Sequence, residues 1–191
     1  MKLLLKTLAV LVIALALGVG SAYLGIRWVG LGAAVRNGAW GTSLATGSSE
    51  AGIYTRAAVA VGGLFALSKK ETLYYTAFVD DRGEKLSASC DYVLEGREID
   101  ARWWSFTVYG EDHFLVPNRE QRYSYNMLSL QRRPDRSYQV HLSSRQHTGN
   151  WLPTGTSGEF SVTLRLYNPA RSVHEHPDTV ALPSITKVAC R

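Results

Sequence analysis

Ser184-Ile185-Thr186-Lys187 matches the S-x-x-K spacing, which on a helix sets a lysine amine one turn from a serine hydroxyl it can deprotonate. Here Pro183 precedes the serine and no S-D-N or K-T-G partner occurs, so the match reads as coincidence. In His174-Glu175-His176, two imidazoles one residue apart could share a metal on one side of a strand, with Asp178 as a third ligand. Asn168-Pro169 and Pro177 favour a solvated loop instead, and no metal or cofactor is expected. Glu95, Glu98 and Asp100 lie close together, as do Asp80 and Asp81, but glycosidase chemistry needs carboxylates facing each other across a cleft. Neighbours in a turn are usually solvated. G-x-S-x-G, P-loop, H-E-x-x-H and C-x-x-C patterns do not occur.

The aromatic residues are more informative. Trp103, Tyr109 and Tyr167 alternate with residues assigned to a core, and Arg165 shares the side of Tyr167. Trp151 follows Asn150 just before a strand. Aromatic faces beside an arginine fork suit sugar rings, acyl chains or carboxylates. The competing reading is that a second layer covers this face, since large aromatics are ordinary core material.

Positioning these residues requires a sheet. Trp104, Phe106 and Val108 alternate with Trp103, Ser105, Thr107 and Tyr109, and Phe160 to Tyr167 repeats the pattern. Tyr138, Val140 and Leu142 alternate with Gln139, His141 and Ser143, which puts His141 on a polar side. Residues 72–79, 90–94 and 123–130 are further strand candidates, separated by short turns such as Asp80-Asp81-Arg82-Gly83. Such strands, with no helices between them, predict an antiparallel β-sandwich or jelly-roll-like domain over residues 50–191. A helix capped by Ser48 or Ser49 and running to about Leu67 is expected to pack on it, with Ile53, Ala57, Ala60, Val61 and Leu64 inward.

Residues 1–26 have a different character. From Thr7 to Ile26, 20 consecutive residues are uncharged, enough for a helix of roughly 30 Å, the hydrocarbon thickness of a bilayer. A transmembrane anchor is expected, with a cleaved signal peptide ending near Gly20-Ser21-Ala22 as the alternative. Lys2 and Lys6 favour a cytoplasmic N-terminus, which puts the rest of the chain in the periplasm. Residues 27–49, rich in glycine, read as a loose juxtamembrane linker. Of 21 basic residues, 19 follow the first apolar run, against 16 acidic ones. So small and scattered an excess excludes a nucleic-acid footprint.

Cys90 and Cys190 are the only two cysteines. An oxidising compartment would let them pair, with Cα atoms about 5.5–6 Å apart. Two buried thiols are the alternative.

The run Arg102 to Tyr109 resembles the W-S-x-T-x-Y strand of the bacterial family called domain of unknown function 1214. Asn150-Trp151-Leu152-Pro153, Phe160 to Tyr167 with Pro169, Tyr54-Thr55-Arg56-Ala57, Asp81-Arg82-Gly83 with Leu86, and Arg122-Tyr123-Ser124 are similar in order and spacing. The resemblance covers about residues 50–185. It implies a β-sandwich and no assigned reaction. Many relatives carry a further domain ahead of this one, where this chain has the membrane segment.

The expected function is that of an envelope-anchored binding or structural module, with an envelope glycan, lipid or protein as partner. The alternative is an envelope hydrolase acting on a glycan, lipid or peptide.

Overall fold

The computed structural model describes residues 2–26, 35–61 and 67–191. By its contacts the chain forms two compact units, residues 1–32 with 45–66, and residues 33–44 with 67–191.

In the first unit, helix α1 (Lys2–Gly25) has 24 residues, an 18-residue stretch of mean hydropathy 2.4 and no buried residue. At 1.5 Å per residue it is about 36 Å long. A helix apolar on all sides has no stripe with which to choose a core. Among the described residues it is the one helix long and apolar enough to cross a membrane. Helix α2 (Ile53–Val61) starts later than the sequence suggests. Arg56 folds back on the preceding turn, donating to Ala51 O at 2.9 Å and Ser49 O at 2.7 Å. The expected inward face is also corrected. Ile53 and Val61 are exposed, and Ala58 is the buried residue of α2. Leu64 and residues 62–66 lie outside the described residues.

The second unit is the sandwich. Its strands are β1 (Val35–Asn37), β2 (Trp40–Thr42), β3 (Thr72–Ala77), β4 (Cys90–Gly96), β5 (Ala101–Gly110) and β6 (Ser124–Asn126). β7 (Tyr138–Leu142), β8 (Trp151–Leu152), β9 (Phe160–Pro169), the short helix α3 (Arg171–Glu175) and β10 (Ser184–Cys190) complete it. The larger sheet runs β1-β2-β3-β9-β5-β6, antiparallel throughout. The smaller runs β10-β4-β7-β8, with β7 and β8 parallel.

Alternation puts Leu73, Tyr75, Trp104, Phe106, Val108, Phe160, Val162, Leu164 and Leu166 of the larger sheet into the core. Tyr92, Leu94, Tyr138, Val140, Leu142 and Ile185 answer from the smaller one. Aromatic rings bridge the layers. Trp104 and Phe106 lie 5.4 and 5.8 Å from Tyr138, and Tyr92 lies 5.7 Å from Phe160. Pairs of this kind add roughly 0.5–1.5 kcal/mol beyond the area they bury. A Cβ at Gly96 would stand 2.7 Å from Tyr138 Oη, so only glycine lets β4 pass that ring.

Residues 35–42 correct the expected loose linker. They form a hairpin whose second strand extends the larger sheet through Trp40↔Ala77 and Thr42↔Tyr75. Trp40 is 2% exposed, and its indole N–H donates to Pro183 O at 2.7 Å. Gly38, at φ +59°, supplies the positive φ that a two-residue hairpin loop needs at its first central position. The strand expected over 123–130 is shortened to β6, because Ser129 N turns back to Asn126 O.

Candidate functional site

Arg165, Trp103, Tyr109 and Tyr167 occupy the outward face of the larger sheet. Register aligns them in rows across the strands. One row holds Tyr167 and Trp103, the next Tyr74, Arg165 and Ser105, the next Thr76, Thr163 and Thr107, and a last one Ser161 and Tyr109. Trp103, Tyr109, Arg165 and Tyr167 are half-buried. Ser105, Thr107, Ser161 and Thr163 between them are buried and form a hydroxyl-rich floor. The Thr76 and Thr163 hydroxyls are 3.1 Å apart.

Arg165 lies flat along this floor. It donates to Thr107 Oγ1 at 2.9 Å and Tyr109 Oη at 2.5 Å, with its Cζ 5.5 Å from the Tyr109 ring centroid. Guanidinium has five N–H donors. Both partners are neutral oxygens, and none of the ion pairs among the described residues includes Arg165. No aspartate or glutamate occurs in any strand of this sheet. The result is a positive, hydroxyl-lined face with an aromatic pair at one end, Trp103 and Tyr167, whose centroids lie 5.1 Å apart. Chemically it can receive an anion and stack a ring.

Thr107 was not singled out by sequence reasoning. The lack of acids along these strand segments was legible and would have pointed to the same face. Trp151 does not join the group. It pairs with His141 in the smaller sheet, is 3% exposed, and donates from its indole to Ser143 O at 2.9 Å. It is part of the structure there, on the opposite layer. His141 stacks on His147 with centroids 4.5 Å apart and planes at 6°. Burial, then the neighbouring imidazole, pulls the His141 pKa below its ordinary value and favours the neutral ring.

The remaining motifs lose their chemistry in three dimensions. Ser184 and Lys187 sit on strand β10, where Ser184 Oγ donates to Glu95 O at 3.3 Å and Lys187 bonds Glu84. A helical Ser–Lys pair is therefore not formed. His174 and Glu175 end helix α3, and Glu175 accepts from Arg171 at 2.7 Å. Among the described residues no three histidine, cysteine or acidic side chains converge to hold a metal. A pocket of about 250 Å³ is lined by Glu98, Asp100, Ser172 and His176. Glu98 is engaged, accepting from Trp104 Nε1 at 2.8 Å and pairing with Arg132. Nothing from the Arg165 face lines this pocket.

Around the C-terminus, Asp91 accepts from Ser143 Oγ at 2.6 Å, Arg145 at 2.7 Å and Arg191 at 3.0 Å. Burial works against its charge, but the Ser143 hydroxyl and the two guanidinium groups prevail and hold its carboxyl below the usual range. The sulfurs of Cys90 and Cys190 lie at disulfide distance, 1.99 Å. Their Cα atoms are 4.0 Å apart, closer than expected, because the two residues are direct cross-strand partners of β4 and β10.

No curated protein matches the chain. Its structure is similar to the VPA0106 protein of Vibrio parahaemolyticus, with TM-score 0.59 and 23% identity over 71% of this chain and 35% of that one. It is also similar to an uncharacterized protein from Burkholderia cenocepacia, with TM-score 0.45 and 21% identity over 63% of this chain and 30% of that one. The chain thus spans about a third of the length of both, and the first likeness supports the sandwich fold alone. The family described as "Protein of unknown function (DUF1214)" matches residues 71–171, from the start of the central β3 to α3 and so through the whole Arg165 face. That match takes in more than half of the sequence, and the chain belongs to this family.

Proposed function

We propose that this protein is a binding module held at the cytoplasmic membrane by α1, presenting its sandwich to the periplasm and taking a ligand on the outward face around Arg165. The carrying observation is the half-buried Arg165 guanidinium, held by two neutral hydroxyls on a sheet face without a carboxylate. An arginine fixed in place beforehand loses little rotamer freedom when an anion arrives. Its standing cost without a counter-ion is offset by the surrounding hydroxyls. The periplasmic side rests on Lys2 and Lys6 at the N-terminal end of α1, ahead of its uncharged run, and on the adjacent cysteine pair. The hydrolase reading has less support. The Asp100–Ser172–His176 pocket brings together suitable residue types, but the bond that joins Ser172 to His176 is a backbone one, from His176 N to Ser172 O at 2.9 Å, and not a pairing of a side-chain nucleophile with a base.

The test uses full-length protein in nanodiscs, incubated with envelope material separated into glycan, lipid and protein fractions. One fraction should be retained by the wild type and lost with Arg165→Gln or Trp103→Ala. Retention unchanged by both substitutions would sink this reading.

A further inference from the structure

The geometry points to a more specific ligand, and this inference rests on the binding role of the Arg165 face: we infer that the face takes a carboxylate-bearing oligosaccharide, an oligouronate, lying along β5. Arg165 supplies the anion site. Of its five N–H donors, one is engaged by Thr107 and one by Tyr109, which leaves three for an incoming carboxylate. Trp103 and Tyr167 supply the ring-stacking site. The two are separated. The guanidinium is held by Thr107 and Tyr109, while Trp103 is four residues before Thr107 on the same strand, about 14 Å away at ~3.4 Å per residue. That is longer than one pyranose ring, so a monomer cannot engage both ends and a short oligomer can.

The chemistry between the two ends distinguishes a sugar from a lipid. The floor between them is built of the buried hydroxyl residues Ser105, Thr107, Ser161 and Thr163, with Thr76 bonded to Thr163 and Tyr74 Oη accepting from Leu67 N at its β3 side. It gives the face a polar base beneath Arg165, Trp103 and Tyr167, which suits a polyhydroxylated ligand better than an acyl chain. The absence of acids from all six strands removes the repulsion a polyanion would otherwise meet.

The experiment is isothermal titration of the full chain in zwitterionic nanodiscs at low ionic strength, with trigalacturonate, galacturonate monomer and neutral galactotriose. Trigalacturonate should bind at least tenfold more tightly than either of the others. Arg165→Gln should weaken it tenfold or more, and Trp103→Ala severalfold. Arg165→Lys, which keeps the charge, serves if the glutamine variant fails to fold, and should also weaken binding by losing the fork. Equal binding of galactotriose overturns the acidic-sugar assignment, and equal binding of the monomer overturns the two-ended geometry. Binding of anionic vesicles through Arg165, with none of trigalacturonate, overturns the oligouronate but leaves the Arg165 face as a binding site. Trigalacturonate binding that survives both Arg165 and Trp103 substitution overturns the inference and its parent reading together.

Discussion

Individual side chains divide between those that hold the sandwich and those left over. Trp104 belongs to the first group. It is fully buried, packs on Phe106 and Tyr138, and donates its indole N–H to Glu98. Trp104→Ala should destabilise the sandwich by about 3–5 kcal/mol, the range for truncating a large buried aromatic. Chemical unfolding checks it, and a loss below about 1 kcal/mol would mean the two faces of β5 are reversed. Asp91 makes a pH-dependent contribution. Its folded carboxyl titrates below the unfolded one, so its stabilisation is complete above the ordinary aspartate range near pH 3.9 and is lost as pH falls through the lower folded value. Asp91→Asn should therefore lower the melting temperature at pH 7, and the two proteins should converge on acidification below about pH 4. A gap that stays constant across that range would show that charge is not the reason Asp91 matters. The outward positions of Trp103, Tyr109, Arg165 and Tyr167 were legible from period-two alternation. The role of Thr107 was not, because which residue an arginine reaches across a strand depends on register and rotamer.

At the level of elements, the β1–β2 hairpin is the largest departure from the sequence reading. Glycines at 30, 32, 38, 41 and 47 suggested a linker. What decides the matter is pairing with β3, which lies more than thirty residues later, and the burial of Trp40 against Pro183 O. A fragment starting at residue 50 would lack both strands and leave the edge of β3 unpaired, an invitation to aggregation. It should melt at a lower temperature and aggregate more than a fragment of residues 33–191. Equal melting curves would show that the hairpin is only an ornament. Helix α2 carries the opposite lesson. Its existence was readable from periodicity, but nine residues are too few for the pattern to specify which side is buried.

For the whole molecule, the cysteine pair links the C-terminus to the sandwich across a sequence separation of 100 residues. A bond there would stabilise the fold by up to about 4.7 kcal/mol in the chain-entropy model. Reduction should lower the melting temperature by roughly 2–4 °C for each kcal/mol lost. Non-reducing mass spectrometry of protein taken from membranes reads the bond directly, and two free thiols would defeat the bond and weaken, without overturning, the case for export. The sequence alone determined that one end of the chain is an apolar helix and that the rest is built on strands with one apolar face. Both are local patterns, fixed by how a helix or a strand repeats its side chains. Only the tertiary structure decided that residues 35–42 extend the larger sheet and that Trp151 stands apart from Arg165. It alone leaves Arg165 without an acid beside it. These are matters of strand order and register, set by contacts between residues far apart in sequence, and no local period carries them.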